Sequence, residues 1–139
     1  MSEDKGNLEN LRVEYSEANN NRRHYSSLRF AVLTVFFAVL GGVAYVAFGF
    51  VEIKSPSSLN IVRWARIAGF LFSVVFFWIE ILCELNLRHF GRVAKALEES
   101  LGLRQFTSRK FRHVPKTPYA TWGMYVLIIL FWVYSILRA

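Results

Sequence analysis

The sequence predicts an all-α membrane protein with three transmembrane helices, a helical extension after the second and a further helix ahead of the first. Composition points there first: of 139 residues, 54% are hydrophobic and 17% aromatic, whereas a soluble domain holds roughly 45–50% apolar residues. The excess is gathered into three apolar runs, two of them uncharged throughout, and the cations are gathered into the segments on one side of them. That pattern calls for lipid as a solvent.

The first run, FAVLTVFFAVLGGVAYVAFGFV at 30–51, contains no charged residue. At 1.5 Å per residue it covers roughly 33 Å, enough for a hydrocarbon core of about 30 Å. The stretch EIKSPSSLN that follows is turn chemistry, with Pro56 biasing the preceding residue away from helix. So short a connection returns the chain antiparallel. The second run is uncharged only from Ile67 to Ile79, and a full crossing places Arg66 and Glu80 near opposite edges of the slab. An arginine there can snorkel, and Trp64 suits the interface.

Beyond it, Leu87, Phe90, Val93, Ala94, Leu97 and Leu101 recur at three- and four-residue steps with charges between them. This is an amphipathic helix continuing the second span, and Gly102 is placed to stop it. Residues 103–117 are basic and irregular. Thr117 and Pro118 then read as an N-cap with proline at the first helical position, opening the third run. Upstream of the first run, Leu8, Leu11, Tyr15, Ala18, Arg22, Tyr25 and Arg29 share one helix face. The expected order is an N-terminal cytoplasmic segment at 1–27, spans at 28–51, 61–83 and 118–138, an external loop at 52–60, a cytoplasmic amphipathic helix at 84–102 and a basic cytoplasmic loop at 103–117.

The formal net charge is +7, and its placement sets the expected orientation. Lys5, Arg12, Arg22, Arg23 and Arg29 precede the first span. Arg88, Arg92, Lys95, Arg104, Arg109, Lys110, Arg112 and Lys116 lie between the second and third. Both groups fall on one side if there are three crossings, so the positive-inside bias predicts a cytoplasmic N-terminus and an external C-terminus in a cell (inner) membrane. The acidic N-terminal segment, with Glu3, Asp4, Glu9, Glu14 and Glu17, is unlike a secretory leader or a transit peptide. The bias also accounts for the basic stretch without nucleic acid, although Phe106, Phe111 and His113 interleave with its cations. Anionic lipid head groups are the expected partners of Arg109, Lys110, Arg112 and Lys116, at about 1 kcal/mol per cation near the surface.

Glu80 is the sharpest candidate for function, because a carboxylate at membrane depth costs about 2.5–3.5 kcal/mol at mid-span. Glu80, Glu84 and Arg88 lie four apart on one face. Glu84 is expected to pair with Arg88, and Glu80 with Arg29 or Arg23. Two readings stay open for that pair: a structural lock between helices, or a proton or ion site. Ala38 and Gly42 form a small-xxx-small step with Gly41 and Gly49 nearby, which suits close helix approach in lipid, either between copies or within one chain. The lone Cys83 excludes an internal disulfide and a paired-cysteine metal or redox site. His24, His89 and His113 have no metal-ligand spacing, the serines have no nucleophile context and the glycines form no phosphate loop. No enzyme chemistry, metal or cofactor is expected.

The segment NNRRHYSSLRF at 20–30 entering the first span, and RHFGRVAKALEESLG at 88–102 leaving the second, resemble small bacterial inner-membrane proteins of the SLATT and RipA-like octameric kind. The resemblance, one of layout over roughly 20–137, implies a homo-oligomer with a cytoplasmic helical collar. For the SLATT kind it further implies a membrane-perturbing effector of a conflict system. Those domains carry two spans, and the third run here is a departure. The resemblance carries over no catalytic residue. The expected function is therefore a non-enzymatic oligomeric inner-membrane protein acting as a pore-forming or membrane-perturbing effector. The alternatives are an accessory or scaffold subunit docking a protein partner through its basic cytoplasmic segment, and a holin-like lysis protein.

Overall fold

In the computed structural model the described residues are 2–49, 56–103 and 117–138, with side chains described over 6–48, 59–103 and 119–138. They are almost entirely helical, in the order α1 (Ser2–Ala44), a π-helical turn (Tyr45–Gly49), α2 (Pro56–Ser100) and α3 (Thr117–Leu137). All three helices contain a window long and apolar enough to cross a membrane, within Gly6–Phe48, Leu59–Ser100 and Tyr119–Leu137.

Length separates α3 from the other two. At 1.5 Å per residue its 21 residues cover about 32 Å, one hydrocarbon thickness, whereas α1 and α2, with 43 and 45 residues, run for about 65 Å each. Both are longer than a bilayer core of about 30 Å, and in both most of the charged residues are gathered towards one end. The α2 helix begins at Pro56, inside the stretch expected to remain loop to Asn60. A proline is well placed in a first turn, where its missing N–H has no intrahelical partner to lose. Its other end closes as Gly102 predicted: Gly102 adopts φ +67°, Leu103 N–H donates to the Glu98 carbonyl at 3.0 Å and Gly102 N–H to the Glu99 carbonyl at 3.4 Å. These two bonds form a Schellman motif, which needs the left-handed residue that glycine supplies without strain.

The chain divides into two compact units, Met1–Arg29 with Leu82–Val114, and Phe30–Ile81 with Pro115–Ala139. The first is a pair of antiparallel helical segments. Tyr25 stacks on Phe90 with centroids 5.6 Å apart, Arg29 meets Glu84, and Ala18 and Ala94 are both buried. The α1 stripe expected to share one face is the less exposed side from Leu11 through Ala18, Arg22 and Tyr25 to Arg29, while Leu8 is exposed.

The second unit is a three-helix cluster with an aromatic centre. Phe36 of α1 packs on Phe76 of α2 and Tyr125 of α3 at 5.3 and 4.8 Å between centroids, and Phe77 reaches Tyr125 at 5.6 Å. Phe36 and Tyr125 are fully buried. Pairing of Phe77 with Tyr125 and of Gly69 with Trp132 makes α3 antiparallel to α2. Pairing of Phe36 with Tyr125 and of Phe48 with Phe131 makes it parallel to α1. In lipid such contacts hold helices by packing and polar bonds, because tails surround apolar side chains as well as protein does.

Candidate functional site: buried charge on the second helix

The inward face of α2 carries an unusual load for an apolar helix. Val62, Gly69, Ser73, Glu80, Cys83, Glu84, Ala94 and Glu98 are all buried and fall at helical spacing along it. Three of them are carboxylates. Glu80 and Glu98 have no exposed surface at all, and a buried carboxylate is retained only where its surroundings compensate for lost hydration.

The compensation is explicit at Glu84, in the first unit. Arg29 Nη1 of α1 donates to Glu84 Oε2 at 3.3 Å, and Arg88 Nε donates to Glu84 Oε1 at 2.8 Å from one turn further along α2. Arg29 and Glu84 side chains are only 14% and 10% exposed, against 48% for Arg88. The carboxylate therefore bridges one sheltered and one solvated guanidinium. The expected Glu84–Arg88 contact is present. Arg29, a candidate partner of Glu80, forms an ion pair with Glu84, one helical turn further along α2. Arg23 is exposed.

The second unit holds further polar features. Ser73 Oγ donates to the Gly69 carbonyl at 2.7 Å, so its hydroxyl is satisfied within its own helix. Arg66 was expected to snorkel from the slab edge. In the structure its Nη1 donates to the Ser135 carbonyl at 3.0 Å, with the guanidinium 5.5 Å from the Phe48 ring centre. Ser135 lies in the last turn of α3, where carbonyls have no intrahelical donor. The Tyr134 carbonyl is taken by Arg138 N–H at 3.1 Å. Arg66 thus caps α3 from a neighbouring helix.

Close approach occurs where the sequence reading did not place it. Gly69 sits under Trp132, and a Cβ added there would run into Cζ2, Cε2 and Cη2 of that indole. Nothing lies within 4 Å of the corresponding point at Gly41 or Gly42, and Ala38, Gly41 and Gly42 are exposed. Gly49 closes the π-helical turn. Arg109, Lys110, Arg112 and Lys116, expected on lipid head groups, lie outside the described residues, as do residues 52–55 of the connection expected at 52–60.

Fold and site together define an all-α protein with three helices fit to cross a membrane and acidic groups buried along the second. No protein-family model, curated protein or solved structure matches the chain.

Proposed function

We propose that the protein is a non-enzymatic subunit of a homo-oligomer in a bacterial inner membrane, with its N-terminus cytoplasmic, and that the assembly perturbs the bilayer it sits in. One observation carries the self-association. The small-residue step Ala38–Gly42, with Gly41 beside it, lies exposed on an apolar helix with open space above the glycines. Small residues let helix backbones approach closely in lipid, and no described residue packs over the glycines of that face. Thr34 on the same exposed run folds its hydroxyl back onto the Phe30 carbonyl at 3.0 Å, which removes a polar obstacle to such an approach. The bilayer-perturbing part rests on the resemblance of residues 20–30 and 88–102 to SLATT and RipA-like proteins. Orientation rests on the cations that flank the spans.

The experiment is light-scattering mass determination of the detergent-purified chain, paired with ion leakage from liposomes that contain it. Self-association gives a protein mass several times the 16.1 kDa of one chain. The substitutions Ala38→Leu and Gly42→Leu should shift it towards monomer and reduce leakage together. A monomeric wild-type chain would overturn the assembly. A stable oligomer that leaves liposomes tight would instead favour the second reading, a scaffold subunit. That reading is supported by the run of cations between Arg88 and Lys116, which could receive an acidic partner.

A further inference from the structure

We infer that the second unit carries a binding site for one anionic phospholipid, with an acyl chain lying between α1 and α3 and the head group held by Arg66 and Arg138. A groove of about 250 Å³ is lined by Leu40 and Ala44 of α1 and by Leu127, Ile128, Phe131 and Trp132 of α3. Its walls are apolar throughout, and Leu127 and Phe131 are largely exposed at 68% and 51%.

The groove does not end blindly. On α3, Leu127, Phe131, Tyr134 and Arg138 follow at steps of four, three and four, so they share one face. Arg138 places its guanidinium 4.8 Å from the Tyr134 ring centre. Opposite, Phe48 contacts Phe131 and Trp132 with centroids 5.5 and 5.6 Å apart, and Arg66 lies over Phe48. Both walls therefore pass from aliphatic to aromatic to cationic in the same direction. The α3 wall from Leu127 to Arg138 spans roughly 16 Å, close to half of a hydrocarbon core of about 30 Å. That is the profile of one leaflet's lipid: tail, interfacial aromatics, then phosphate.

Charge selects the head group. Arg63, Arg66 and Arg138 gather at the end of the unit where α2 begins and α3 finishes, and no acidic residue lies among the described residues there. Arg66 spends one described hydrogen bond on Ser135, and its fork offers more donors than that, in a geometry suited to phosphate. A second copy is a poorer occupant. Copies inserted in the same direction would bring their own Arg66 and Arg138 to the same level, cation against cation. The face proposed for self-association lies elsewhere on α1, since Ala38 and Gly42 are two residues out of step with Leu40 and Ala44, which is more than half a turn. The two proposals therefore stand or fall separately.

Native mass spectrometry of the detergent-purified chain with equal amounts of phosphatidylglycerol and phosphatidylcholine of matched tails provides the test. Wild type should retain phosphatidylglycerol about tenfold over phosphatidylcholine, given two cations near the head group. Arg138→Gln should cut that preference several-fold, Arg138→Lys should keep it, and Arg66→Gln with Arg138→Gln should abolish it. Arg138 is exposed, so its variants test the site even if the loss of Arg66 unfolds the chain. Ala44→Phe, which fills the groove, should lower retention of both lipids. Three results would overturn the proposal: equal retention of the two lipids by wild type, a preference unmoved by the arginine variants, or efficient disulfide cross-linking of Ala44→Cys between copies.

Discussion

Glu84 is held by two arginines that differ in how much water they see, and that difference ranks their contributions. Arg29 is sheltered, so deleting Glu84 removes a compensating charge where little solvent can replace it. Removing one member of a buried pair costs about 3–5 kcal/mol, whereas an exposed pair contributes about 0–1 kcal/mol. Glu84→Ala and Arg29→Ala should therefore each lower unfolding stability in detergent by about 3 kcal/mol, and Arg88→Ala by under about 1 kcal/mol. Glu84→Gln should fall between, because an amide oxygen still accepts a hydrogen bond from Arg29. Equal losses for Arg29→Ala and Arg88→Ala, read from chemical unfolding curves, would show that burial does not set the hierarchy. The sequence displayed the participants: carboxylates four apart, an arginine one turn on and another at the edge of the first span. That Arg29 reaches Glu84 as well as lying near the first span's edge was not legible. Glu80 and Glu84 lie on one helical face a single turn apart, and the Arg29–Glu84 contact depends on the register of α1 against α2, set by contacts such as Tyr25 on Phe90.

Helix pairing in the second unit turns on a knob and a hole. Trp132, 1% exposed, lies against Gly69, and the absent Cβ is what lets its indole sit there. Gly69→Ala forces either the ring or the helices apart, and overpacking of this kind costs about 1–3 kcal/mol. Trp132→Leu leaves a cavity instead and should cost about 3 kcal/mol or more. In the double variant the added methyl meets a smaller side chain, so Gly69→Ala should cost markedly less there than in the wild type. A double-mutant cycle followed by thermal unfolding reads that coupling directly, and strict additivity would mean that the two residues do not sense each other. The helices themselves were legible, because apolar runs of bilayer length admit few other structures and Gly102 marks its own stop. Gly69 was not. Its partner lies on a different helix far along the chain, and a single glycine in an apolar run looks no different from Gly41 or Gly42, whose surroundings are open. The bond of Arg66 was hidden for the same reason, since its acceptor is a backbone carbonyl in α3, and no side-chain pattern announces a carbonyl.

At the scale of the whole chain, the number of crossings fixes where the ends must be. Three helices are long and apolar enough to span a membrane. Backbone polar groups cannot stop midway in hydrocarbon without losing several kcal/mol each, so each helix should cross completely. An odd number of crossings puts the two termini on opposite sides, and the cations choose which side takes which. Single cysteines placed near residue 4 and near residue 139, in a background where Cys83 is replaced by serine, should therefore differ in labelling by a membrane-impermeant maleimide on intact cells. The C-terminal one should react and the N-terminal one only after lysis. Neutralising Arg109, Lys110, Arg112 and Lys116 together should leave that outcome unchanged. Arg88, Arg92 and Lys95 remain on the same connection, and Arg12, Arg22, Arg23 and Arg29 remain ahead of the first span, still outnumbering Lys54, Arg63, Arg66 and Arg138 on the other side. Neutralising both cation groups at once should yield a mixed population, since the bias is counted over all flanking charges rather than held by any one of them. Labelling of both ends from the outside in the parent chain would mean that one of the three helices does not cross.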